Sequence, residues 1–110
     1  MKHLFLRNET ECANIPIDAI LSLEVKDYFL VCHTACGRSF SCCKALIQIE
    51  NLHLPYFVRI NRSTIINIHK IQLVNFKTRV IEINELLSYQ MAFRKINLVR
   101  KAIREFESNT

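Results

Sequence analysis

Glycine is almost missing from this chain: Gly37 is the only one among 110 residues, beside two prolines and no tryptophan. No glycine-rich loop can therefore cradle a nucleotide phosphate, and no Gly/Ser- or Pro-rich linker divides the sequence. Residues 1–110 are expected to form one domain, with 1–13 as an edge strand and turn and 92–107 as a C-terminal helix. Long apolar runs are lacking too, since none approaches the roughly 18 residues that cross a bilayer. The opening MKHLFLRNETEC meets charge too soon for a secretory signal. A cytoplasmic domain without membrane contact is the expectation. No nucleophile motif is present either, so neither catalysis nor a small-molecule substrate is expected.

What is there is globular: 50% apolar residues with 23% charged, seven Phe among them, enough for one hydrophobic core. The five cysteines (Cys12, Cys32, Cys36, Cys42, Cys43) are odd in number and include an adjacent pair. They read as free thiols in a reducing compartment, several of them acting as small core residues. Cys32-His33-Cys36 lacks the second matched half of a zinc site, and His33, His53 and His69 read as ordinary polar residues. No metal or cofactor is expected.

Acidic residues are scarce in the second half. Residues 1–56 carry five Lys/Arg against six Asp/Glu, whereas residues 57–110 carry ten against four. A basic surface gains affinity for a polyanion by releasing condensed counterions, so nucleic acid is the simplest partner.

The pattern along the chain predicts short strands followed by a helix. Lys2–Arg7 reads as an edge strand and Asn8–Glu11 as a polar turn. Ile15–Val25 is strand-like, with Pro16 suited to its start or an edge. Tyr28–Thr34 alternates, placing Tyr28, Leu30 and Cys32 on one side. Gly37 then turns the chain into Arg38–Ser41. Lys44–Leu52 predicts a two-turn helix, stopped by Pro55. Lys70–Phe76 and Arg79–Asn84 predict a hairpin around Lys77-Thr78. At the end, Ala92, Ile96, Val99, Ile103 and Phe106 recur at helical spacing and give one apolar stripe, with Arg94, Lys95, Arg100, Lys101 and Arg104 largely off it.

Between these groups lies Phe57–Ile71, FVRINRSTIINIHKI. Its dense apolar residues hold the backbone still, so Arg59, Asn61, Arg62 and Ser63 project from a fixed base. Arginines and asparagines on such a base suit phosphates and base edges. The string Phe57, Arg59, Asn61, Arg62, Ser63, Ile66, Asn67, followed by Ile68 and Ile71, resembles the signature of the LytTR domains. Ile15-Pro16-Ile17, Ile20, Leu23, Glu24 and Tyr28 resemble that family's earlier pattern. Asn61 stands where the family usually has histidine, and Met91-Ala92-Phe93-Arg94 lacks the usual serine.

The resemblance implies an α+β fold, predominantly β, with short antiparallel strands in small packed sheets, one short internal helix and a C-terminal amphipathic helix. It also implies a DNA-binding output domain of a bacterial response regulator. Two copies would bind paired direct repeats in double-stranded DNA, bending it, with loops in successive major grooves. Carried over, the contacts fall near Lys26–Tyr28, on Asn61-Arg62, and on Arg94 with Lys95.

Arg62 is the expected base reader, since its fork matches guanine O6 and N7. Arg59 is open between a phosphate contact and an ion pair with a carboxylate such as Asp18 or Glu24. Ser63 is open between a helix N-cap and a phosphate contact. Asn67 is expected to tie down backbone, and Lys70 and Lys77 to meet phosphates. Two other readings stay open: a protein-interaction module using the C-terminal helix, and a non-specific nucleic-acid binder.

Overall fold

Alternation sets the first pair of strands. In β1 (His3–Arg7) Leu4 and Leu6 are buried while His3, Phe5 and Arg7 face outward. β2 (Cys12–Pro16) pairs antiparallel with it, from His3 opposite Pro16 to Arg7 opposite Cys12. Asn8 shapes the turn between them, its Oδ1 accepting from the N–H groups of Thr10 at 3.0 Å and Glu11 at 2.8 Å. The computed structural model describes residues 2–108, so Met1 and residues 109–110 of the expected domain lie outside the described residues.

The apolar run Ile15–Val25 is two strands rather than one. Pro16 ends β2, one 3₁₀ turn follows at Ile17–Ala19, and β3 (Ile20–Lys26) begins there. Proline has no N–H to extend the ladder, and the turn lets Ile15, Ile17 and Ile20 enter the same core.

β3 reverses into β4 (Phe29–Thr34) through Asp27 and Tyr28 alone, both left-handed with φ of 50° and 71°. That is the two-residue geometry that follows strand twist. Tyr28 is consequently a turn residue and not part of the strand, while Leu30 and Cys32 are buried as the alternation requires. Gly37, with φ of 87°, opens β5 (Ser39–Cys42). α1 (Leu46–Glu50) is short, burying Leu46 and Ile49, and Gln48 Oε1 accepts from the Ala45 N–H at 2.9 Å at its start.

β6 (Phe57–Asn61) and β7 (Thr64–Asn67) complete a five-stranded antiparallel sheet ordered β5-β4-β3-β7-β6. All four residues of β7 are buried, because this strand is covered on both faces. β8 (Leu73–Asn75) and β9 (Val80–Glu82) form the hairpin around Lys77-Thr78. A third strand, β10 (Ser88–Gln90), extends it to three strands. α2 (Ile96–Glu107) starts four residues later than the expected 92. Ala92 is extended there and donates its N–H to Ile60 O at 2.8 Å, which ties it to β6 instead of a helix.

The five-stranded sheet is the middle layer. On one side β1, β2 and α1 bury a core containing Leu6, Ile20, Leu23, Leu30, Ile49 and Ile65. On the other, the three-stranded sheet and α2 bury Ile60, Ile66, Ile81, Met91 and Val99. The helical stripe is spent here: Ile96, Ala102, Ile103 and Phe106 pack against the second core, and the Phe106 ring lies 4.4 Å from that of His69. Among the described residues no helix is long and apolar enough to cross a membrane.

Candidate nucleic-acid interface

Four connections meet at one end of the middle sheet. The β3–β4 turn (Asp27-Tyr28) is joined to the β6–β7 turn (Arg62-Ser63) by the Val25 N–H, which donates to Ser63 O at 2.8 Å. The β6–β7 turn is joined to the end of β10 by Asn61 Nδ2, which donates to Gln90 O at 2.8 Å. The Ala92–Ile60 hydrogen bond keeps the segment carrying Phe93 and Arg94 alongside. The β8–β9 turn belongs to the same end, because Val80 lies opposite both Asn75 and Gln90. Its backbone is set by Asn75 Oδ1, which accepts from Lys77 and Thr78, each at 3.0 Å.

The Arg62 turn is held from inside. Asn61 Oδ1 accepts from Ser63 N at 2.9 Å and from Ser63 Oγ at 3.1 Å. Arg59 Nε donates to Asn61 O at 3.2 Å and Nη2 donates to Arg62 O, while Nη1 meets Glu50 Oε1 at 2.6 Å. Arg62 itself is exposed, with no side-chain partner among the described residues. A fork on a pinned turn can donate two parallel hydrogen bonds to one acceptor edge.

Several expectations change here. Arg59 does form an ion pair, but with Glu50 rather than Asp18 or Glu24. Asp18 is exposed in the 3₁₀ turn after β2, Glu24 meets His33 at 3.1 Å, and α1 folds over the face of β6 that carries Arg59. Ser63 caps no helix, since β7 begins at Thr64. The Asn61 amide is occupied with the loop and β10, so it shapes the turn. Asn67 does tie down backbone: its Nδ2 donates to Ile20 O at 2.9 Å and its Oδ1 accepts from His69 N at 3.0 Å.

The structure brings Lys26, Tyr28, Asn61, Arg62, Ser63, Lys77 and Arg94 to this end, with Lys95 beside Arg59 and Glu50 in a neighbouring groove. Lys70 is not with them. It sits half-buried after β7, at the end of that strand opposite Arg62. Two residues here were not singled out from sequence. Lys44 lines a groove with Tyr28, Arg59 and Arg62, and Phe93 is 79% exposed beside Arg94. An aromatic in a basic stretch, off the apolar stripe expected of 92–107, was the signal for Phe93. Lys44 carried none, as only the fold places it near Arg62.

Of the thiols, Cys43 lines the groove that holds Lys44, Tyr28 and Arg62. Burial pushes the Cys32 thiol up to about 12, so it stays protonated as a core residue. Cys42 is also buried, and Cys12, Cys36 and Cys43 are exposed free thiols. No group of three or more His, Cys, Asp or Glu among the described residues could hold a metal ion.

Comparison with known proteins agrees with this arrangement. The model of the LytTr DNA-binding domain matches residues 10–104. Among solved structures, the fold is similar to the LytTr DNA-binding domain assigned to a methyl-accepting/DNA response regulator from Bacillus cereus. The TM-score is 0.79 at 18% identity, covering 94% of this chain and 97% of that one. No curated protein sequence gives a significant match. With its sheets in the LytTr arrangement and the family pattern running through nearly all of its length, this chain belongs to the LytTr DNA-binding domain family.

Proposed function

We propose that this DNA-binding domain reads sequence in the major groove of double-stranded DNA and regulates transcription as the output domain of a bacterial two-component response regulator. The observation that carries this is Arg62: an exposed guanidinium on a turn fixed by Arg59, Asn61 and Val25, with basic or aromatic loops on either side. Arg62 reads a base edge, and Arg94 reads or positions from the adjoining loop. Lys26, Lys44, Lys77 and Lys95 supply phosphate attraction, Tyr28 supplies a stacking or groove contact, and Ser63 a hydroxyl for phosphate. Arg59, Asn61 and Asn67 serve as supports. Lys70 lies away from this surface and contributes only through the general field.

Residues 1–110 act as one domain in this reading, and two copies occupy paired direct repeats as a dimer on DNA. The role is binding rather than catalysis, in the cytoplasm. A partner-binding role for the C-terminal helix has less support, because its apolar stripe packs against the second core.

Selection from random duplexes tests the proposal. The wild-type domain should enrich one motif, and Arg62→Ala should lose preference at one position of it, by roughly 1–3 kcal/mol for a lost bidentate pair. No enrichment by the wild type, or equal affinity for target and scrambled duplex at fixed salt, would make it a non-specific binder.

A further inference from the structure

The planar guanidinium of Arg59 makes three contacts. Nη1 is held by Glu50 on α1 at 2.6 Å, Nε donates to Asn61 O at 3.2 Å, and Nη2 donates to Arg62 O. The two carbonyls belong to the residues that enter the turn, so their directions set the backbone torsions from which the Arg62 side chain emerges. The carbonyls are neutral acceptors that any nearby cation could satisfy loosely. The carboxylate is the contact that fixes the rotation of the fork. We propose that Glu50 is a positioning residue for DNA sequence discrimination, holding Arg59 so that it clamps the Asn61–Arg62 carbonyls and aims Arg62. This rests on the reading of Arg62 as the base reader.

Glu50 has a second consequence through charge. Arg59 is half-buried in a groove it shares with Lys95, next to the loops assigned to DNA. Paired with Glu50, it is neutralised and turned inward. Released, it becomes one more mobile cation that any phosphate can attract. Glu50 therefore raises discrimination twice, by aiming the reader and by withholding a non-specific contact. A carboxylate whose only effect was long-range repulsion would do the opposite when removed, since its loss would tighten binding to every duplex alike.

The test uses the full chain, the duplex enriched by the wild type, and a scrambled duplex of the same composition at fixed salt. Glu50→Gln should weaken binding to the enriched duplex by roughly five- to twentyfold, part of what a lost base contact costs. Binding to the scrambled duplex should hold or tighten. Arg59→Lys keeps the charge without the fork and should lower the ratio similarly, which covers the case in which Glu50→Gln fails to fold. In the free protein, Glu50→Gln should speed amide hydrogen exchange at Arg62 and Ser63 while leaving β3 and β4 unchanged.

An unchanged ratio in folded Glu50→Gln, alongside an Arg62→Ala variant that loses one motif position, overturns the role of Glu50 and leaves the reader intact. Equal weakening at both duplexes also overturns it, as that marks a general loss of structure. If Arg62→Ala keeps the full motif, the reader itself falls, and the role of Glu50 falls with it.

Discussion

Asn67 offers the most quantitative test of how the middle sheet is held together. The β3–β7 ladder runs from Glu24 opposite Thr64 to Ser22 opposite Ile66, and β3 slips register between Ile20 and Ser22. Where backbone pairing stops, the Asn67 side chain continues it: Nδ2 donates to Ile20 O at 2.9 Å and Oδ1 accepts from His69 N at 3.0 Å. Asn67 is 3% exposed and Ile20 is 0% exposed, so water cannot replace the donor at Ile20. Asn67→Ala orphans one buried acceptor and one partly buried donor. At about 1–3 kcal/mol for the first and about 1 for the second, the loss is about 2–4 kcal/mol.

For a chain of this size, that lowers Tm by on the order of 10–20 °C. Urea unfolding should show the lower midpoint with an unchanged slope. At a temperature where the variant is folded, its affinity for DNA should match the wild type. Asn67→Asp should cost more than Asn67→Ala at neutral pH, because it turns a carboxylate oxygen toward Ile20 O. A loss under about 1 kcal/mol, an Asp variant no worse than Ala, or a folded Ala variant with weakened DNA binding would refute the reasoning.

Two further outcomes are expected. Tyr28 is 96% exposed with φ of 71°, so Tyr28→Gly should stabilise the domain by up to about 1 kcal/mol; titration against duplex DNA should show weaker binding, and equal affinity would remove Tyr28 from the interface. Burial pushes the Tyr89 phenol up to about 12 from its ordinary 10.0, the Glu24 carboxylate adding to the rise, while a 2.8 Å hydrogen bond with Ser22 opposes it. Because the folded value is the higher, this contribution is complete below pH 10 and is lost as pH rises toward 12. Denaturation across that window should show the decline, and Tyr89→Phe should remove it while costing about 1–2 kcal/mol at neutral pH by orphaning the buried Ser22 hydroxyl.

Much of the architecture was legible because it rests on local signals. Leu4 and Leu6 alternate, Gly37 supplies a left-handed turn, Pro55 follows α1, and Ile96, Val99, Ile103 and Phe106 share one helical face. Each depends on residues within a few positions of one another. The misreadings fell where distant segments decide. Ile15–Val25 looked continuous because periodicity does not register that Ile17 N–H donates to Lys2 O and turns the chain at Pro16. β10 went unread because three residues, Ser88–Gln90, become a strand only when β9 is beside them.

The interface divides the same way. Type, charge and order are properties of the chain itself, so the basic second half, the Phe57–Ile71 string and Arg62 as its exposed arginine could be read directly. Which carboxylate meets Arg59, which side of the molecule holds Lys70, and whether the Asn61 amide is free are properties of packing. Glu50, nine residues before Arg59, became its partner only because α1 folds over β6. Gln90 fixed the Asn61 amide from 29 residues away because the second sheet lies against the first. A linear pattern specifies which groups are available; the three layers decide which of them satisfy one another and which are left to meet DNA.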